Sequence, residues 1–128
     1  MSTRLALLGI VVAFVATLTG CGQSGPPTYK VTGTVKFEDG TPLTKGTIMF
    51  DSGEVSAKGA VSEDGTFILG TTDAGNGAQD GQYAVYFTGP AATEKLVAEE
   101  FCNGEKTPLS YKVEKRANVF EIEVKRPE

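Results

Sequence analysis

Histidine and tryptophan are absent from this chain, and cysteine occurs only twice, at Cys21 and Cys102. Without histidine there is no Ser-His-Asp or Cys-His catalysis, in which an imidazole must take the nucleophile's proton. The ligand set of most zinc sites, built from several Cys or His, is missing too. Cations are few and scattered: 12 Lys and Arg against 16 Asp and Glu give a formal charge of −4. Nucleic acid is therefore not expected as a partner, because its binding domains carry a clustered basic face. Nor is there a polybasic block of the kind that holds anionic lipid. The longest apolar run, residues 5–18, is shorter than the ~20 residues that a bilayer-spanning helix needs.

That apolar run is informative for what surrounds it. Arg4 precedes it, and Leu18-Thr19-Gly20-Cys21 closes it. A positive start, a short greasy stretch and small residues at the end describe a secretory signal peptide. The last four residues resemble the lipobox of bacterial lipoproteins, an aliphatic residue and two small ones before Cys. The resemblance implies that the Cys21 sulfur receives a diacylglycerol, that a peptidase cuts just before Cys21, and that the mature chain starts there. It places the protein in the cell envelope, lipid-anchored on the non-cytoplasmic side of a membrane. Gly22, where sorting signals for the inner membrane carry Asp, resembles an outer-membrane address. The expected organisation is a signal peptide at 1–20, a lipidated terminus and tether at 21–28, and one domain at 29–128.

About a hundred residues suffice for one small domain. From Tyr29 onward the hydrophobic period is two. Val31, Val35 and Phe37 alternate with Thr32, Thr34 and Lys36, the pattern of a strand with one buried face. Gly33 takes an inward position there, which predicts close backbone approach or a bulge. Glu38-Asp39-Gly40 is a turn, since Asp-Gly supplies the positive φ of a tight hairpin. Further strands are expected at 46–50, 55–61, 66–69, 82–88, 109–113 and 120–124. A second acidic turn, Ser62-Glu63-Asp64-Gly65, separates two of them. Asp-Gly turns between alternating strands predict antiparallel pairing throughout. Seven short strands of this kind read as an all-β, single antiparallel β-sandwich, prealbumin-like or immunoglobulin-like. Its expected core is Val35, Phe37, Phe50, Phe67, Val85, Phe87, Phe120 and Ile122. Residues 91–108 read either as one or two helical turns capped by Thr93, with Val97 and Phe101 facing the core, or as a packed loop.

The candidate site residues are few. Asp64, Asp73 and Asp80 lie in turns and loops and are the oxygen donors from which a Ca²⁺ site would be built. Their spacing does not match an EF-hand loop, and Asp and Asn also serve turns by bonding their own backbone; no metal is expected. Gly75-Asn76-Gly77 lacks the Lys-Ser/Thr and the helix that complete a phosphate loop. Cys102, beside Phe101, is expected to be a buried, unreactive thiol, because free cysteine behaves as a small hydrophobe. Among the tyrosines, Tyr83 and Tyr111 fall on inward positions and Tyr86 on an outward one.

The region after Cys21 resembles small bacterial lipoproteins with a transthyretin-like, carboxypeptidase-regulatory-like domain. The residues that carry the resemblance are Val31-Thr32-Gly33-Thr34-Val35, Asp39-Gly40-Thr41-Pro42-Leu43, Glu63-Asp64-Gly65-Thr66-Phe67 and Asp80-Gly81-Gln82-Tyr83-Ala84-Val85. Leu109-Ser110-Tyr111-Lys112-Val113 and Asn118-Val119-Phe120-Glu121-Ile122 complete it. These are strand and turn determinants, and they imply a prealbumin-like, non-catalytic sandwich. The enzymatic branch of transthyretin-like proteins, the hydroxyisourate hydrolases, depends on histidines and a C-terminal Tyr-Arg-Gly-Ser. This chain has no histidine and ends Val124-Lys125-Arg126-Pro127-Glu128. The expectation is a monomeric, lipid-anchored domain that contacts an envelope protein or a glycan and needs no cofactor. The alternatives are a structural spacer of the envelope, or a hydrolase using the carboxylates of Asp64, Asp73 and Asp80.

Overall fold

The computed structural model describes residues 26–128. Cys21, its lipobox Leu18-Thr19-Gly20 and the expected signal peptide lie outside the described residues. Seven strands form two packed sheets: β1 (Val31–Phe37), β2 (Thr47–Asp51), β3 (Ser56–Ala60), β4 (Thr66–Ile68), β5 (Gly81–Thr88), β6 (Ser110–Val113) and β7 (Asn118–Val124). The first sheet has the order β4-β1-β7 and the second β3-β2-β5-β6. The result is an all-β sandwich.

Alternation decides which residues meet between the sheets. Val31, Val35, Ile48, Phe50, Phe67, Tyr83, Val85, Phe87, Ile122 and Val124 are buried in one continuous core. Phe50 is its hub, with ring centroids 6.3 Å from Phe67, 5.9 Å from Phe120 and 5.9 Å from Tyr83. It thereby ties β2 to both strands flanking β1. Phe120 departs from expectation: it is only partly buried, packing on Tyr111 at 5.0 Å where the sandwich opens between β6 and β7. Both strands lie at the edges of their sheets, so no further strand among the described residues covers this side.

Gly33 is inward and without a side chain for a physical reason. A Cβ there would meet the Phe120 carbonyl of the neighbouring strand and sit 2.7 Å from the Phe67 ring. The pleat position is filled by Phe67, which lies directly opposite Gly33 in register.

Uniform antiparallel pairing is not what the chain adopts. β1 and β7 run parallel, with Val31 opposite Asn118 and Phe37 opposite Val124. The two Asp-Gly turns do fold the chain back antiparallel, as expected, but each return is short. At the first, Gly40 N–H donates to Phe37 O, Phe37 N–H to Thr41 O and Leu43 N–H to Val35 O, with Lys36 bridged to Pro42, before the chain leaves β1 for the other sheet. At the second, Ser62 N–H donates to Thr66 O, and Lys58 and Gly70 exchange backbone hydrogen bonds of 3.0 and 2.9 Å, so β3 of one sheet and the end of β4 in the other are joined across the turn.

The 91–108 stretch is two separate turns in an otherwise irregular segment: α1 (Pro90–Thr93) and a 3₁₀ turn at Glu99–Cys102. Thr93 ends α1 and caps nothing, because Pro90 already occupies the first turn and Gly89 the N-cap. Val97 and Phe101 are nevertheless both buried in the core.

Parallel β1 and β7 give the molecule two distinct poles. The chain enters at the Val31/Asn118 end and leaves at the Phe37/Val124 end, about 20 Å away at ~3.3 Å per strand residue.

Candidate functional site at the two poles

The entry pole is closed by side-chain amides. Tyr29 exchanges backbone hydrogen bonds of 2.8 and 3.0 Å with Ala78, which fastens the start of the domain to the 70–80 loop. Gly77, with φ +86°, passes so close to the Tyr29 carbonyl that a Cβ would collide with it. Within the loop, Asn76 Oδ1 accepts from Thr71 N–H at 2.7 Å. Asn118, only 6% exposed, is the one buried polar residue among those described. Its Oδ1 accepts from Glu114 N–H at 2.9 Å, and its Nδ2 donates to Glu114 O at 3.1 Å and Arg116 O at 2.7 Å. The β6–β7 turn is wrapped around this one amide. On the outer face of the first sheet, Val119 is 76% and Ile68 53% exposed, with Thr32 between them in the same row. A cleft of about 390 Å³ runs beside Ile68, lined by Lys58, Gly59, Thr71, Asp73 and Gly75.

At the exit pole the chain is clamped by Arg126. Its Nη1 donates to Asp39 Oδ2 at 2.9 Å and its Nη2 to Thr41 Oγ1 at 2.8 Å. The guanidinium also lies 4.1 Å from the Phe37 ring centroid, the geometry of a cation–π contact. Asp39 is held down to about 2, chiefly by the Thr41 hydroxyl and Thr41 N–H, with Arg126 adding to it. Asp64 repeats the arrangement with Thr66, whose hydroxyl and N–H lower its carboxyl as well.

A cleft of about 570 Å³ opens at this pole, bounded by Lys95, Val97, Ala98, Glu99, Cys102 and Pro127. Ala98 N–H donates to Lys125 O at 2.7 Å and fixes one wall to the end of β7. Cys102 is half-buried, not buried as its apolar neighbour suggests, because Phe101 takes the inward place in the 3₁₀ turn. Burial first, and the Glu99 charge second, push its thiol up. It stays protonated at neutral pH, whereas nucleophilic cysteine is the thiolate.

Lys95 has φ +54°, the one non-glycine residue in the left-handed region among those described. Lys95 N–H donates to Ala92 O and Leu96 N–H to Ala91 O, which together form the Schellman closure of α1. Glycine is the usual residue at that position, so a lysine there gave no signal of its role in the sequence. Asn118 and Arg126 were equally silent: one reads as turn composition, the other as a stray charge near the end.

Asp64, Asp73 and Asp80 are not brought together. Asp64 sits in the turn at the exit-pole start of β4, while Asp73 and Asp80 belong to the loop at the entry pole. Among the described residues no group of three or more His, Cys, Asp or Glu is gathered closely enough to hold a metal ion. Tyr83 is inward and donates its hydroxyl to Gln79 O at 2.9 Å. Tyr86 does point out of the core, but it is not a free platform: Gly104 lies against its ring. Tyr111 is half-buried on Phe120.

No family model, no curated protein and no solved structure matches the chain.

Proposed function

We propose that this chain is a lipid-anchored, non-catalytic envelope protein, held at Cys21 and displaying a transthyretin-like, prealbumin-like sandwich after removal of a signal peptide. The observation that carries the reading is the parallel pairing of β1 with β7. It puts the start of the domain at one pole and the Lys95–Cys102 cleft at the other. A tether from Cys21 to Tyr29 can reach at most about 28 Å fully extended, so the entry pole stays within that distance of the membrane and the exit pole is the one free to stand further out. A protein or glycan of the envelope is the partner expected at that outward pole. The non-catalytic reading rests on the absent histidine and on a cysteine whose thiol stays protonated.

Mass spectrometry of the exported protein tests the anchor. The mature N-terminus should be Cys21 with added acyl mass, and the protein should partition into detergent. Cys21→Ala should abolish both. Wild-type protein recovered from the aqueous phase with an unmodified Cys21 would overturn the reading.

A further inference from the structure

The entry pole carries more than a tether. Val119 and Ile68 are the two large hydrophobic side chains left exposed among the described residues. They share one row of the β4-β1-β7 sheet, each in register with Thr32. Two strand spacings of ~4.8 Å separate them, so they form a single short apolar ridge across the sheet. The ridge lies at the Val31/Asn118 end, next to where the tether enters.

Cations flank it. Lys30 is exposed and two residues before Thr32, and its carbonyl accepts from Asn118 N–H at 2.8 Å, which sets it beside the start of β7. Lys115 is exposed in the turn that leads into Val119. Neither joins an ion pair among the described residues, whereas the Arg116 charge is already met by Glu114 at 3.0 Å. The carboxylates of the same strand, Glu121 and Glu123, come one and two pleats further up, opposite Thr34 and Lys36. Asp73 lines the cleft beside Ile68.

We propose that this ridge, Val119-Thr32-Ile68 with Lys30 and Lys115, is a docking face for an anionic phospholipid surface and sets how the domain stands on its membrane. The proposal rests on the lipid anchor at Cys21. Two unpaired lysines and two aliphatic residues are too little to recruit a free protein, since stable membrane attachment takes a long chain or several signals together. Here recruitment is already done. A tether of at most about 28 Å makes the contact intramolecular, and a high effective concentration lets a weak face be occupied. The occupant is a bilayer and not another protein because the anchor brings this pole to lipid in every molecule. The aliphatic-plus-lysine chemistry suits a headgroup layer, where lysine meets anionic lipid and an apolar side chain enters the acyl boundary.

The absence of tryptophan makes the test direct. Full-length lipidated Val119→Trp and, separately, Ile68→Trp are reconstituted into phosphatidylglycerol–phosphatidylethanolamine vesicles, with Glu63→Trp at the opposite pole as control. Both substituted positions are exposed, and agreement of the two variants guards against a local defect in either. Brominated acyl chains should quench and blue-shift Val119→Trp and Ile68→Trp and leave Glu63→Trp unchanged. Lys30→Glu with Lys115→Glu, or phosphatidylcholine in place of the anionic lipid, should remove the quenching while the protein stays vesicle-bound through its acyl chains. Acylated protein whose Val119→Trp emission is unquenched overturns the docking face and leaves the anchor standing. Emission that shifts with protein density, independent of lipid charge, assigns the ridge to a second copy and overturns it equally. An unacylated Cys21 overturns the anchor itself, and the docking face with it.

Discussion

Asn118 is the residue on which the entry pole closes, and Asn118→Ala is the perturbation that reads its role. The change removes three hydrogen bonds of 2.7–3.1 Å from a side chain that is 6% exposed. A buried polar group left without a partner costs about 1–3 kcal/mol. The cost is not three times that, because Glu114 and Arg116 are exposed residues whose freed backbone groups regain some water. A loss of about 2–3 kcal/mol is expected, against ~5–15 for a whole domain. For a domain near a hundred residues that is a fall in Tm of about 8–24 °C, followed by tyrosine fluorescence. Asn118→Asp is the sharper variant. Its carboxylate keeps the acceptor for Glu114 N–H but turns an anion toward the Glu114 and Arg116 carbonyls, so at pH 7 it should be no better than alanine. Protonation restores one donor, so the folded-state pKa of this aspartate is raised above the usual ~3.9. Its stabilising contribution is then full below pH ~3.9 and is lost as pH rises through the higher folded value. A Tm for Asn118→Ala within about 2 °C of wild type, or an Asn118→Asp variant as stable as wild type at pH 7, would refute the argument.

At the exit pole, Asp39 contributes stability that is present above pH ~3.8 and lost as pH falls through about 2; by NMR titration Thr41→Val should raise the Asp39 pKa more than Arg126→Ala does, and the reverse order would mean the ion pair dominates. Lys95→Gly should stabilise the protein by about 0.5–1 kcal/mol, the left-handed strain relieved less the extra entropy of glycine in the unfolded chain, and an unchanged or lower urea midpoint would show that the lysine side chain is held there by contacts of its own.

Much of the fold was legible in the sequence because the strand signal is local. Alternation at Val31-Val35-Phe37, Tyr83-Val85-Phe87 and Ile122-Val124 names the buried face of each strand whatever its neighbour. Gly33 announced a close approach, and the Phe120 carbonyl and Phe67 ring supply it. The acidic turns at Asp39-Gly40 and Asp64-Gly65 close where the sequence places them, each aspartate bonded to the threonine two residues on. The candidate site was far less legible. Asp64 and the Asp73–Asp80 loop fall at opposite poles, and the residues that shape each pole, Asn118, Arg126 and Lys95, have no motif around them.

What the sequence determined by itself is therefore the set of strands, their inward faces and the places where the chain turns. Only the tertiary structure decided how the strands are partnered. Period two says which side of a strand is apolar, but β1 would bury the same Val31, Val35 and Phe37 beside β2 or beside β7, parallel or antiparallel. The Asp-Gly turns set only the short antiparallel return beside them, Pro42 and Leu43 against Lys36 and Val35 and Gly70 against Lys58, and do not say which strand lies on the other side of β1. The choice is made by packing between residues far apart in sequence: Phe50 wedged among Phe67, Tyr83 and Phe120, and Gly33 yielding room to β7. From that choice come the parallel β1–β7 pair, the two poles and the face on which Val119 and Ile68 stand.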